Sequence, residues 1–202
     1  MFLVFDTETT DLPDWGAPNP GMSKARIVQL ACTLLTPEFD EVAAFCSLIK
    51  LPPGVNMSPN AESRHGISLE KCQKYGIPIE SALTIFDEFS KLADYVVAHG
   101  LKFDSYLLAT EVMITGRPLY NIENGTSGIC TMLASTKICG LKQQGSNRPK
   151  WPKLEEAAEI LLGLKMTDAH DALYDTRTTG KVLRHLLHNK HISLPRTELS
   201  QP

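Results

Sequence analysis

Apolar residues follow two rhythms along the chain, and the change from one to the other divides it. The chain opens on the unbroken run Phe2-Leu3-Val4-Phe5. This run is short, aromatic and β-branched, which predicts a buried strand. Arg26 to Thr36 (RIVQLACTLLT) and Glu41 to Leu51 (EVAAFCSLIKL) are two further strand-like runs, split by Pro37-Glu38-Phe39-Asp40. That pattern predicts a hairpin, so the first three strands form an antiparallel meander, closed by Pro52-Pro53-Gly54. Between the first two strands, Asp14 to Lys24 is rich in Pro, Gly and Asn and reads as a surface loop.

The apolar spacing then lengthens to a helical period. Ser58 to Arg64 predicts a short helix, and Ser68 is placed to N-cap another over Leu69 to Tyr75. Pro78 to Leu92 sets Ile79, Leu83, Phe86, Phe89 and Leu92 on one stripe, expected in the core. Tyr95 to Ala98 predicts a fourth strand. Phe103 to Thr115 predicts a helix that Gly116 stops. Ile129 to Met132 reads as a fifth strand running into helix at Leu133. Lys153 to Leu162 and Asp171 to Leu187 are the final helices, the last opening near Asp168 or Ala169. The tail from Pro195 is polar and expected to fray. Strands that first meander and then alternate with helices predict an α/β fold: a mixed five-stranded sheet flanked by helices.

Composition narrows the class. A chain of 202 residues fits one domain, residues 1–202, with a full core. Hydrophobic content of 43% and charged content of 21% are ordinary for a soluble globular protein. The formal charge of −3 means that a nucleic-acid partner needs a local basic face. Asn124 to Leu154 offers one: it holds no Asp or Glu but contains Lys137, Lys142, Arg148, Lys150 and Lys153. Such a segment either lines a phosphate backbone or is an ordinary solubilising loop. Trp151 within it either stacks on a base or packs at the foot of a helix. The five cysteines form no CxxC pair, and their odd number fits a reducing, cytoplasmic setting. The apolar start is five residues long without a basic flank, so no secretion signal and no membrane span is expected.

The chemistry concentrates where apolar runs end in acids. Asp6 and Glu8 follow the first strand and are two residues apart, so an extended chain points both to one face. Neighbouring carboxylates repel, and one takes up a proton unless a cation shares them. All-oxygen ligands favour Mg²⁺ or Mn²⁺. The alternative is a strand end with solvated acids. Asp104 lies in the first turn of a helix, after Val97-Ala98-His99-Gly100. Capping and the helix dipole alone would also favour an acid there. His170 and Asp175 are five apart at the start of the last helix, about 7 to 8 Å along its axis, close enough to face one site. Asp175 could instead be a solvated acid paired with Arg177 or Lys181. His65-Gly66-Ile67, between two short helices, is a weaker signal.

Taken together, FDTETTDL, AHGLKFD and HDALYDT resemble the three motifs of the DEDDh, or DnaQ-like, 3′-to-5′ exonucleases, in family order from Asp6 to Asp175. That group includes the proofreading epsilon subunit of bacterial DNA polymerase and ribonuclease T. The resemblance implies a ribonuclease-H-like sheet, in line with the pattern above. It implies that Asp6, Glu8 and Asp175 hold one divalent ion, and that Asp6 shares a second supported by Asp104. His170 would be the general base, and two Mg²⁺ (or Mn²⁺) the cofactors. Thr7, Thr9, Leu12, His65 and Phe103 are the expected substrate contacts, Leu12 as a wedge against the terminal base. The expected substrate is the 3′ end of a nucleic acid, DNA and single-stranded by preference, with RNA trimming or a non-catalytic binding role as alternatives. The chain departs from the pattern in three places. The Asp14 to Lys24 loop is long, Gly100 stands where relatives often carry Asn, and an Asp is missing before Thr131. No second domain for docking a polymerase is expected, and a polymerase or second-copy partner is left open.

Overall fold

The computed structural model describes residues 1–119, 127–145, 147–167 and 170–194. The strands are β1 (Phe2–Thr9), β2 (Ile27–Leu35), β3 (Glu41–Leu48), β4 (Tyr95–Ala98) and β5 (Ser127–Cys130). They form one sheet in the order β3-β2-β1-β4-β5. The first three pair antiparallel, and β1–β4 and β4–β5 pair parallel. The meander and the mixed sheet expected from the sequence are both present.

The helices are α1 (Pro59–His65), α2 (Leu69–Tyr75), α3 (Ile79–Ser90), α4 (Leu101–Thr115), α5 (Thr131–Cys139), α6 (Leu154–Leu162) and α7 (Ala172–His188). They cover both faces of the sheet, which explains why all nine residues of β2 are buried. Alternation along β1 separates two cores. Leu3 and Phe5 pack with Leu83 and Phe86 of α3 and Leu107 and Leu108 of α4. Phe2 and Val4 pack with Leu183 of α7. Helix α7 rests close on the sheet at Gly180, where an added Cβ would lie 2.9 Å from Leu35 Cδ1 and 4.0 Å from Val4 Cγ2. This explains a glycine within a long helix.

Four sequence expectations shift. Strand β1 does not stop at Phe5 but carries Asp6 and Glu8 inside it, because the sheet continues to pair there (Asp6 with Ala31, Glu8 with Gln29). Strand β5 begins at Ser127 rather than Ile129, and helix α5 already at Thr131. Gly128 hides the strand signal, since it has no side chain to pack. An added Cβ would come within 2.6 Å of Leu101 Cδ2, so a larger residue here would displace the end of that side chain. Leu92 is not core: α3 ends at Ser90, and Leu92 is 60% exposed. Helix α7 starts at Ala172 with Asp171 as its N-cap, accepting from Tyr174 N at 3.0 Å. Asp168, Ala169 and the tail from Pro195 lie outside the described residues.

The Asp14–Lys24 loop is docked rather than free. Tyr106 Oη of α4 donates to Asp14 O at 2.7 Å, and Thr110 Oγ1 donates to Pro20 O at 3.1 Å. Trp15 leans on Tyr106 with ring centroids 4.9 Å apart.

Candidate active site

The parity that divides the cores also aims the acids. Even positions of β1 face α7, so Asp6 and Glu8 continue the row of Phe2 and Val4 toward Asp175. Odd positions face α4, and Thr7 reaches Asp104 there. Asp104 Oδ1 accepts from Thr7 Oγ1 at 2.8 Å and from Thr7 N at 3.1 Å. Because β4 lies parallel beside β1, the turn His99-Gly100 delivers α4, and with it Asp104, to the same sheet end.

One cavity of about 430 Å³ collects these groups: Asp6, Glu8, Asp104, His170 and Asp175 all line it. Glu8, Asp104 and Asp175 are buried, and Asp6 is half-buried. Ligand atoms of Glu8, His170 and Asp175 lie within 4.8 Å of one another. Four carboxylates in so little space do not ionise independently. Burial, reinforced by the neighbouring acids, pushes Glu8 up to about 8 and Asp6 well above the usual carboxylate range. Burial raises Asp104 to about 7 despite the two bonds from Thr7, and Asp175 to about 6.

Asp175 carries a further mark of a cation site. Its Oδ2 accepts from His170 N at 3.2 Å, whereas Oδ1 is buried and receives no hydrogen bond from the described protein. A buried carboxylate oxygen without a donor is costly. Together with the carboxylate of Glu8 and the imidazole of His170, it fits a divalent cation. Arg177, one of its two possible sequence partners, is turned away and holds Glu41 in a two-pronged ion pair of 2.7 and 2.9 Å.

His170 stands in the left-handed backbone region at φ 73°. A side chain rarely adopts that conformation, at a cost of order 1–3 kcal/mol, and such residues cluster at functional sites. Burial, then the positive charge of Arg64, lowers its pKa, so the imidazole is neutral near pH 7.

The remaining expected contacts divide. Leu12 lines the cavity with 71% of its surface exposed. Phe103 lines it while also packing on the core. Thr7 and Thr9 line it, but the Thr7 hydroxyl is occupied by Asp104 and that of Thr9 by Asp11 O at 2.9 Å. His65 Nδ1 accepts from Ile67 N at 3.0 Å, so Nε2 carries the proton and donates to Thr9 O at 3.1 Å. Both ring nitrogens are thus occupied, Nε2 by the end of β1 and Nδ1 by the backbone just after α1. His99 is similarly held, between Thr131 Oγ1 at 2.9 Å and Pro152 O at 3.0 Å.

Two participants escaped the sequence reading. Gln29 sits opposite Glu8 and accepts from Ala172 N at 3.1 Å, tying the start of α7 to β2. A glutamine in a wholly buried strand was the available signal. Arg64 lines the cavity, and its positive charge offsets a little of the rise at Glu8 caused by burial and the neighbouring acids. Nothing in its local sequence distinguishes it.

The sequence matches the family model of the RNase T exonucleases over residues 3–183. The chain therefore belongs to the exonuclease family, a class of enzymes that hydrolyse phosphodiester bonds, and its DEDDh-type, DnaQ-like motifs are those of that family. No curated protein matches the chain by sequence. Among solved structures, E. coli exonuclease I in complex with a dT13 oligonucleotide superposes with a TM-score of 0.74 at 17% identity, over 92% of this chain and 40% of that one. The zinc-bound E. coli ExoI–ssDNA complex gives 0.73 at 18%, over 94% and 40%. A moderately thermophilic exonuclease I from Methylocaldum szegediense gives 0.73 at 22% identity, again over 94% and 40%. The chain spans about two-fifths of the length of these relatives, and the likeness establishes the ribonuclease-H-like fold. No helix among the described residues is long and apolar enough to cross a membrane.

Proposed function

We propose that residues 1–202 act as one 3′-to-5′ exonuclease domain, hydrolysing the terminal phosphodiester of single-stranded DNA and releasing nucleoside 5′-monophosphates. The observation that carries this reading is the convergence of Asp6, Glu8, Asp104, Asp175 and His170 on one cavity, with Asp175 Oδ1 buried and unmatched. The oligonucleotide complexes of exonuclease I support a single-stranded substrate, and its zinc-bound form supports a divalent ion.

Asp6, Glu8 and Asp175 would hold one Mg²⁺, and Asp6 with Asp104 would support a second. Bound there, the ions supply an activated water and neutralise charge on the scissile phosphate and leaving oxygen. The chain's own residues do the rest. Thr7 locks Asp104, and Gln29 fixes the start of α7 and so the placement of Asp175. The neutral imidazole of His170 accepts a proton from the attacking water. Arg64, exposed on α1 and lining the same cavity, would meet the substrate phosphate. Leu12 wedges against the terminal base, while Thr9, His65 and Phe103 form the wall that receives the nucleotide.

A 5′-labelled oligonucleotide incubated with Mg²⁺ tests the reading. Shortening one nucleotide at a time from the 3′ end, abolished by EDTA, is expected. Internal cuts, or an intact oligonucleotide with Mg²⁺ present, would contradict it. Matched DNA and RNA oligomers in the same assay decide between DNA degradation and RNA trimming.

A further inference from the structure

A second groove, of about 1000 Å³, opens on the other side of Trp151. Its lining includes Lys137 of α5 and Lys142, Arg148 and Lys150 of the segment that follows, with no acidic side chain among the described residues. The segment is a built hairpin rather than a loose loop. Lys142 bridges Pro149, Gln143 N donates to Arg148 O at 3.1 Å, and Lys150 N donates to Leu141 O at 2.9 Å. Lys150 is neutralised by Glu156, but Lys137 and Lys142 have no ion pair among the described residues. In a chain of net charge −3, Lys137 and Lys142 therefore give this groove a local excess of positive charge.

Trp151 supplies the other half of the argument. It is 63% exposed, so its indole does not pack at the foot of α6. A flat aromatic among ammonium groups matches a single strand, whose unpaired bases stack while its phosphates follow the cations. A duplex, with its bases stacked inside, offers nothing to the indole. The groove and the carboxylate cavity are lined by residues only two apart along the chain. Trp151 is two residues before Lys153, which lines that cavity, and the intervening Pro152 is pinned through its carbonyl by His99 Nε2 at 3.0 Å.

We propose that this groove binds the single strand on the 5′ side of the nucleotide being removed, with Trp151 as a stacking platform and Lys137 and Lys142 on the phosphates. The inference rests on the exonuclease reading and adds to it a length preference: substrates long enough to reach the groove are favoured over those confined to the cavity.

The test compares wild type with Lys137→Ala/Lys142→Ala, Trp151→Ala and Trp151→Phe on a dinucleotide and on an oligothymidylate of about fifteen nucleotides. On the dinucleotide all four proteins should have the same kcat/KM. On the longer strand Trp151→Ala should raise KM roughly 5- to 150-fold with kcat held, and Trp151→Phe should recover most of that loss. In the lysine variant, the plot of log kcat/KM against log salt should flatten by about 1.4, two phosphate contacts at about 0.7 each. Equal losses on both lengths, or an unchanged salt slope and KM, would overturn the groove while leaving the exonuclease reading intact. An equal effect of Trp151→Ala on a duplex of that length would overturn the single-strand assignment. Wild-type protein that cleaves neither substrate would overturn the exonuclease reading, and this inference with it.

Discussion

Asp175 shows how much a single side chain carries. One oxygen is held by the His170 amide, and the other is buried without a donor among the described residues. Asp175→Asn keeps the shape and removes a charge from a crowded site. Activity should fall by a factor on the order of 10³, as for loss of a preorganised electrostatic group, while the melting temperature in EDTA stays level or rises. Activity near wild type would remove Asp175 from the site. His170→Ala should slow turnover by about 10² to 10⁴ and erase the acidic limb of the pH–rate profile. A pH profile matching wild type would exclude the base role. The sequence made these two residues visible because His and Asp five apart at a helix start is a spaced pattern. It could not show that His170 occupies a left-handed backbone, which depends on how the chain meets α7. Nor could it show that His65 and Thr7 anchor protein groups with the atoms expected to face substrate, since those partners are distant in sequence.

The site is assembled by the fit of α7 against β1 and β2. Gln29 and Gly180 mark that contact from two directions, one a hydrogen bond to the Ala172 amide and the other a close approach to Leu35 and Val4. Gln29→Ala leaves the Ala172 amide without its acceptor and should lower stability by about 1–3 kcal/mol in chemical denaturation. Mg²⁺ affinity should weaken with it, because Asp175 loses its anchor. An unchanged affinity would mean that the helix places Asp175 without this tie. Strands and helices with a clean period were legible throughout. The misplacements share a cause: tertiary contacts settled the ends of elements. Pairing with β2 carries β1 through its acids, and Leu101 packs closely on the glycine inside β5. Leu92 continues the apolar period of α3, but the helix stops before it.

At the scale of the molecule, the site is a store of repulsion that a cation relieves. The four acids have folded-state pKa values above the ordinary carboxylate value near 4, with Asp175 at about 6, Asp104 at about 7 and Glu8 at about 8. The folded chain therefore binds more protons than the unfolded one between these limits, so this contribution to stability is present below about pH 4 and lost as pH rises through about 8. In EDTA, the melting temperature should gain less, or fall, as pH is raised across that window. Added Mg²⁺ should stabilise most at the alkaline end, where it displaces fewest protons. A Mg²⁺ effect independent of pH would separate the ion from these carboxylates. On the proposed reading, distant segments bring these acids to a shared divalent ion, and anomalous diffraction from a crystal soaked in Mn²⁺ would locate it. The account expects a peak bounded by oxygens of Asp6, Glu8 and Asp175 at about 2.1 Å. A cavity free of anomalous density, with manganese bound elsewhere on the protein, would contradict it.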